Sequence, residues 1–281
     1  MAQSIHAFPP PWSLLAFPAW WRQLSRASRS ALLLDFDGTL SPFVRERLEA
    51  RPYAGVTDRL LRLAATPRLR LVLISGRPAK ELASLLPAEL KVEIWGSHGR
   101  ERLSPDGGYK AVPLRAAQQA ALTHLESELG REGLSRVIEK KVGSLAMHTR
   151  GLSEQEAHQV QSIAERFYNS LQGAGANPGL EWLPFDGGIE VRGTGCTKAT
   201  AVHSILRDEP PGTPAAYLGD DQTDEDGFIA LRQRGSQNPT LPVLVRTEPR
   251  ASIAHLWLKP PRELLAFLDR WLQATSPEER G

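Results

Sequence analysis

Four short apolar runs constrain the fold more than any other feature of the sequence. They are residues 31–34 (ALLL), 69–74 (LRLVLI), 214–218 (PAAYL) and 241–245 (LPVLV). Apart from Arg70 the runs are nearly continuous, which is typical of strands that a parallel sheet buries on both faces. Helical patterns such as residues 56–66 lie between them, so strand and helix alternate. We therefore predict an α/β fold with a doubly wound parallel sheet.

The middle of the chain has a different pattern, which predicts a small inserted α+β module. Apolar residues keep helical spacing over 114–129 and again over 157–171. Strand-like sequence follows each of these two stretches. The predicted domains are an N-terminal arm (1–29), a catalytic core (30–107 and 190–275) and an inserted cap (108–189).

Composition and charge exclude several classes of protein. The net charge of +2 gives no electrostatic reason to expect a nucleic-acid partner. No run of about 18 apolar residues is present, so no membrane span is expected. Cys196 is the single cysteine, so no intrachain disulfide can form, which fits a cytoplasmic protein. For Trp12, Phe17, Trp20 and Trp21 in the arm, docking on a partner and packing on the chain's own body both stay open.

Polar side chains follow three of the apolar runs. Asp35 and Asp37 follow the first run, the motif SGR (75–77) the second, and GDDQTDED (219–226) the third. Ligands of open α/β sheets bind outside the carboxyl ends of the strands, so these clusters should meet at one site. Buried carboxylates there cost free energy unless a cation pairs with them. Asp35, Asp37 and Asp220 are hard oxygen ligands, which suit Mg²⁺.

Two further groups suit an anionic ligand at the same place. Ser75 offers a hydroxyl close to backbone N–H groups, and Lys198 stands at the start of a helical pattern. Helix starts favour anions through both their free N–H groups and their dipole. Together with Mg²⁺, these groups predict phosphoryl transfer, in which positioning and charge stabilisation dominate catalysis.

These motifs resemble those of a known superfamily over about residues 30–270. DFDGTL (35–40), SGR, Lys198 and GDDQTDED match the order and spacing of the four motifs of haloacid dehalogenase (HAD) superfamily phosphatases. Three other segments resemble trehalose-6-phosphate phosphatases, whose cap is inserted between the second and third motifs: SHGRE (97–101), EKKVGSLAMHTR (139–150) and IEVRGTGCTK (189–198). The resemblance implies a HAD-like core with an inserted α+β cap.

The resemblance also implies a role for each catalytic position. Asp35 would be the nucleophile, forming an aspartyl-phosphate. Asp37 would protonate the leaving sugar oxygen and then activate the hydrolytic water. Ser75 and Lys198 would hold the phosphoryl group, with Lys198 also neutralising Asp35. The Mg²⁺ ligands would be Asp35, Asp37 through its backbone carbonyl, Asp220 and Asp221, with Asp224 orienting the loop.

Sugar recognition is implied for the cap. Strand side chains repeat every two residues, so Glu139 shares a face with Lys141, and His148 shares one with Arg150. The substrate-binding residues implied are Ser75, Arg77, His98, Glu139, Lys141, His148, Arg150 and Glu190. Three alternatives stay open, namely a structural role for His98, a loop-holding role for Arg77, and a solvated charged face for the cap strands.

The implied activity is Mg²⁺-dependent hydrolysis of trehalose 6-phosphate to trehalose and phosphate, in trehalose biosynthesis. The implied partners are a small-molecule sugar phosphate and, as a functional link, a trehalose-6-phosphate synthase. One alternative is another capped HAD sugar phosphatase, acting on sucrose 6-phosphate or a glycosylglycerate phosphate. Another is a non-catalytic sugar-phosphate sensor, because a fold alone does not determine function.

Overall fold

The computed structural model describes residues 8, 10–11, 13, 16–44, 46–173, 178–185, 187–235 and 237–276. The chain divides into two compact units, which we call the larger unit (1–110 and 197–281) and the smaller unit (Ala111–Cys196). The strands are β1 (Ser30–Leu34), β2 (Leu69–Ile74), β3 (Glu93–Gly96), β4 (Glu101–Leu103), β5 (Tyr109–Ala111), β6 (Ile138–Lys141), β7 (Ser144–His148), β8 (Leu180–Phe185), β9 (Gly188–Gly193), β10 (Ala215–Gly219), β11 (Thr240–Val245) and β12 (Leu256–Leu258). The α-helices are α1 (Pro18–Arg26), α2 (Val56–Ala64), α3 (Ala79–Ser84), α4 (Ala116–Arg131), α5 (Glu154–Gly173), α6 (Lys198–Arg207), α7 (Gln222–Arg232) and α8 (Arg262–Thr275).

The larger unit is built on an eight-stranded sheet in the order β12-β11-β10-β1-β2-β3-β4-β5. The six strands from β12 to β3 are parallel, and β4 runs antiparallel to β3. The predicted doubly wound parallel sheet is therefore confirmed, and the four apolar runs form β1, β2, β10 and β11. The chain continues from β1 to one side and later to the other, so the carboxyl end of β1 is the topological switch point where such sheets bind ligands.

Helices on both sides of the sheet explain why residues 31–34 of β1 are all apolar. Leu32 and Leu34 pack in one core cluster with residues of α1, α2, α3 and α8. Ala31 and Leu33 pack in a second cluster with residues of α6 and α7. A strand covered on both faces has no solvent side, and its alternation of apolar and polar residues disappears.

The N-terminal helix α1 packs on the chain's own body. Trp20 lies with its ring centroid 5.4 Å from that of Trp271, and the Trp21 ring is 5.3 Å from that of Phe267, both on α8. Trp20 and Trp21 are buried, which favours the packing alternative for this part of the arm. Trp12 lies outside the described residues.

The smaller unit is a four-stranded antiparallel sheet in the order β6-β7-β9-β8, with α4 and α5 against one face. The sequence prediction ended the inserted segment at residue 189, whereas this unit extends to Cys196. The difference arises because β9 pairs with β8 over its whole length and with β7 as far as Arg192. Among the described residues of both units, no helix has the length and hydropathy needed to cross a membrane.

Candidate active site

Asp35 and Lys198 form a buried ion pair at the carboxyl end of β1. Asp35 directly follows the strand and is 3% exposed. The Nζ atom of Lys198, the first residue of α6, lies 2.8 Å from Oδ1 of Asp35 and 2.7 Å from Oδ1 of Asp224. The lysine thus supplies the cation that a buried carboxylate requires.

Asp224 connects this pair to the acidic loop after β10. Its Oδ2 accepts hydrogen bonds from the backbone N–H groups of Asp220 and Asp221, at 3.0 and 3.1 Å. The hydroxyl of Tyr217, buried in β10, donates to Oδ1 at 2.5 Å. Asp224 therefore holds the backbone of this loop, the role that the family resemblance implies, and it also joins the cluster of carboxylates.

Asp35, Asp220 and Asp224 lie close enough to hold one cation. One carboxylate oxygen of each falls within 4.8 Å of the others. Oδ2 of Asp220 is buried and accepts no hydrogen bond from the part of the chain that the structure describes. Gly38 has φ +84°, and a Cβ there would lie 2.2 Å from that oxygen, so only glycine permits this approach. Hard oxygen donors with an unsatisfied buried atom fit a divalent cation such as Mg²⁺.

The two other predicted metal ligands have different side-chain partners. Oδ1 of Asp221 accepts from the backbone N–H and the hydroxyl of Thr223, at 2.8 and 2.7 Å, and so caps α7. Both carboxylate oxygens of Asp37 accept from Arg77, at 2.6 and 2.7 Å. The structure thus brings Asp35 and Asp220 together with Asp224, and metal ligation by Asp37 or Asp221 stays a prediction.

Burial and crowding of charge set the pKa values in this cluster. Burial, reinforced by the neighbouring carboxylates, raises the pKa of Asp220 well above its usual range. Burial likewise raises the pKa of Asp35, although Lys198 opposes the shift. Burial alone lowers the pKa of Lys198, but Asp224 and Asp35 outweigh it and raise that pKa well above its ordinary value. The lysine therefore stays charged, and the carboxylates still favour a further cation.

The SGR loop carries Ser75 and Arg77 at the end of β2. Ser75 is buried, and its Oγ accepts from the backbone N–H of Arg77 at 3.1 Å. Besides its two hydrogen bonds to Asp37, the Arg77 guanidinium donates to Glu81 at 3.0 Å and to the carbonyl of Arg47 at 2.8 Å. These contacts match the loop-holding alternative for Arg77, and its contact with substrate stays a prediction.

His98 lies beside the same loop. It follows β3, and its backbone N–H donates to the Ser75 carbonyl at 3.0 Å. A Cβ on Gly76 would lie 2.8 Å from Cε1 of the imidazole, so the ring covers that glycine. Ser97 and His98 have φ of 47° and 55°, a left-handed conformation that costs about 1–3 kcal/mol per residue and clusters at functional sites. Substrate binding by His98 stays a prediction.

Four of the five predicted cap residues lie on the face of the smaller sheet that α4 and α5 do not cover, namely Glu139, Lys141, His148 and Glu190. Nε2 of His148 is 2.8 Å from Oε2 of Glu139, and Nζ of Lys141 is 2.8 Å from Oε2 of Glu190. The ladder aligns Glu139, Ala146 and Glu190, which places them on one face. Phe185 lies on the same face, with its ring centroid 5.6 Å from that of His148, although no sequence motif pointed to it.

Arg150 does not belong to that strand face. β7 ends at His148, and the Arg150 N–H donates to the Gly187 carbonyl at 3.2 Å within a turn. The strand argument for placing Arg150 beside His148 therefore does not hold, because side-chain alternation requires an extended backbone, and substrate binding by Arg150 stays a prediction.

The parallel sheet with an aspartate at its switch point and the inserted antiparallel unit define a HAD-like fold. A structure of the phosphatase BT1666 from Bacteroides thetaiotaomicron, described as a HAD superfamily member, matches 88% of the chain with a TM-score of 0.57 and 16% identity. A family model described as trehalose-phosphatase matches residues 33–260. The chain therefore belongs to the trehalose-phosphatase family.

Individual relatives agree with this family. Trehalose-phosphate phosphatase from Mycolicibacterium paratuberculosis is 34% identical over 85% of the chain, and that from Mycobacterium leprae is 30% identical over 90%. The chain spans about 61% and 60% of the length of these two relatives. The C-terminal domain of Candida albicans trehalose-6-phosphate phosphatase matches 95% of this chain and 99% of its own, with a TM-score of 0.76 and 22% identity, which supports the fold.

Proposed function

We propose that the chain is a Mg²⁺-dependent phosphatase that hydrolyses trehalose 6-phosphate to trehalose and phosphate. The observation that carries this proposal is the buried Asp35–Lys198 pair at 2.8 Å, next to the carboxylates of Asp220 and Asp224. These groups offer a carboxylate nucleophile, a cation for the phosphoryl group and ligands for a metal, whose charge would favour the ionised form of Asp35. The names of the mycobacterial relatives favour the trehalose phosphate as substrate.

In the proposed reaction, a carboxylate oxygen of Asp35 attacks phosphorus while the bond to the sugar oxygen breaks. The sugar oxygen takes a proton from Asp37, and the phosphoryl group stays on Asp35 as an aspartyl-phosphate. Water then attacks that phosphorus and gives its proton to Asp37, which releases phosphate and restores Asp35. Lys198 neutralises charge on the phosphoryl oxygens. Mg²⁺, held by Asp35 and Asp220 with Asp224 or Asp221, would supply further positive charge.

Release of Asp37 from Arg77 is part of this proposal. Both Asp37 oxygens accept from the Arg77 guanidinium, so at least one must separate before the carboxyl group can carry a proton to the sugar oxygen. Glu81, which already accepts from Arg77 at 3.0 Å, gives the guanidinium an alternative acceptor.

A non-catalytic regulatory role is the second candidate. The C-terminal domain of a Candida albicans trehalose synthase regulatory protein matches 93% of this chain with a TM-score of 0.69 at 12% identity. The complete set of Asp35, Asp37, Lys198 and Asp220 favours catalysis over this alternative. A functional link to a synthase remains part of the proposal, because one relative is named as a bifunctional trehalose-6-phosphate synthase/phosphatase.

Phosphate release from a panel of sugar phosphates, with and without chelator, tests the activity. We expect trehalose 6-phosphate to be hydrolysed faster than sucrose 6-phosphate and glucosylglycerate phosphate, and EDTA to abolish turnover until Mg²⁺ is restored. Preference for another sugar phosphate would identify a different capped phosphatase. Absence of turnover together with tight binding of trehalose 6-phosphate would identify a sensor.

Sugar recognition by the cap is tested with Glu139→Gln and Glu190→Gln. Each substitution removes a charged acceptor for sugar hydroxyls, and such hydrogen bonds contribute about 1.5–3 kcal/mol. We therefore expect kcat/KM for trehalose 6-phosphate to fall about 10- to 100-fold, with little change for a small aryl phosphate. Glu126→Gln, whose exposed carboxylate pairs with Lys140, serves as the control. Equal losses on both substrates would reject sugar recognition by this face.

The raised pKa of Asp220 predicts a pH-dependent effect on stability. The folded state holds the Asp220 proton more tightly than the unfolded state, so its contribution to stability is full at low pH and is lost as pH rises through the folded pKa. In EDTA, Asp220→Asn should thus gain stability relative to wild type as pH rises above about 4, the ordinary pKa of an aspartate. Mg²⁺ should reverse the difference, as measured by denaturant unfolding.

A further inference from the structure

The loop after β11 contacts the acidic loop from the side away from Asp224. Arg250 donates from Nε to the carbonyl of Asp220 at 3.1 Å and from Nη2 to the carbonyl of Asp221 at 2.5 Å. Arg246 in the same loop donates a second hydrogen bond to the Asp220 carbonyl, at 3.1 Å. Because β11 is the parallel neighbour of β10, these arginines reach the edge of the sheet where Asp220 begins the acidic loop.

Arg250 is itself fixed by a buried carboxylate. Its Nη1 donates to Oε1 of Glu225 at 2.5 Å and to the carbonyl of Ala251 at 2.9 Å. The other oxygen of Glu225 accepts from the backbone N–H of Ile253 at 3.1 Å, which locks the carboxylate between α7 and the loop. Glu225 is buried, so the guanidinium has a defined orientation rather than a solvated one.

Both sides of the Asp220–Asp221 backbone are therefore held. The N–H groups of the two residues donate to Asp224, and their carbonyls accept from Arg250. Oδ2 of Asp220 accepts no hydrogen bond among the described residues and has Arg246 at 3.8 Å. The direction of the Asp220 carboxylate thus depends on its backbone more than on contacts of its own.

We propose that Arg250 is a positioning residue that presents the Asp220 carboxylate to the divalent cation. The proposal rests on the metal site of the proposed function. Groups that orient metal ligands without touching the metal typically change metal affinity by about 10- to 100-fold when mutated. Lysine keeps the charge of Arg250, but its single ammonium lacks the fork that reaches two carbonyls and Glu225 together.

Mg²⁺ titration calorimetry on the full chain tests the proposal with Arg250→Lys. We expect the Mg²⁺ dissociation constant to rise about 10-fold, and phosphate release to recover when Mg²⁺ is raised in proportion. Arg234→Lys is the matched control, because Arg234 is partly buried and also donates to a backbone carbonyl, that of Thr213 at 2.8 Å. The control should bind Mg²⁺ like wild type even if its melting temperature in EDTA falls as far.

Each outcome of the calorimetry decides the proposal. Equal Mg²⁺ affinity of Arg250→Lys and wild type overturns the positioning role and leaves the phosphatase proposal intact. A wild-type chain that binds no Mg²⁺ overturns the metal site and the positioning role together. If Arg250→Lys does not fold, Glu225→Gln tests the proposal instead. It weakens the contact that orients Arg250, so it should raise the Mg²⁺ dissociation constant by a smaller factor, and an unchanged constant would overturn the positioning role.

Discussion

Asp35→Asn is expected to lower phosphate release by at least about 1,000-fold while the protein stays folded. Asparagine keeps the shape of the side chain but lacks the anionic oxygen that attacks phosphorus. Lys198 retains Asp224 as a partner at 2.7 Å, so the substitution leaves no unpaired buried cation. Initial rates of phosphate release at saturating Mg²⁺ measure the loss, and denaturant unfolding in EDTA checks the fold.

The stability measurement distinguishes loss of the nucleophile from loss of the folded structure. Burial raises the pKa of Asp35, so an uncharged isostere should leave the metal-free protein at least as stable as wild type at neutral pH. Asp58→Asn, an exposed substitution on α2, is the control and should change neither stability nor turnover. Substantial phosphate release by Asp35→Asn would reject Asp35 as the nucleophile.

The arrangement of the motifs in the larger unit was predictable because each motif directly follows a strand or begins a helix. Asp35 and Ser75 come directly after apolar strands, and parallel strands bring their carboxyl ends together whatever their distance along the chain. Lys198 is 163 residues from Asp35, yet its place at a helix start directs it to the same edge. The rule for open sheets therefore predicts that these residues meet at one edge of the sheet, and the contact between Lys198 and Asp35 agrees with it.

The positions of Arg150 and Asp224 depend on local backbone geometry, which the rule for open sheets does not describe. Arg150 follows β7 by two residues, but a turn ends the alternation after His148. Asp224 enters the carboxylate cluster because Asp221 caps α7 and the N3 side chain folds back on the loop. That capping pattern was readable from the spacing of the two aspartates. Arg250 lies in the loop after the fourth apolar run, which the rule for open sheets places at the same edge of the sheet.

Removal of the Lys198 charge is expected to have the largest effect on stability. Lys198→Met leaves Asp35 and Asp224 buried without the cation that contacts both, and breaking a buried ion pair from one side costs about 3–5 kcal/mol. Turnover should also be lost, because the phosphoryl group loses its cation and the pKa of Asp35 rises further. Denaturant unfolding in EDTA at neutral pH measures the first effect, with exposed Lys259→Met as the control.

A double substitution shows whether the loss comes from uncompensated charge. Asp224→Asn in the Lys198→Met background removes one of the two stranded carboxylates, so it should recover part of the lost stability instead of adding a second loss. Contacting residues of this kind couple by about 0.5–3 kcal/mol. Mg²⁺ should likewise stabilise Lys198→Met, because a divalent cation among Asp35, Asp220 and Asp224 replaces the missing charge. Strict additivity of the two substitutions, with no response to Mg²⁺, would show that Lys198 acts through packing and not as the counter-charge of the nucleophile.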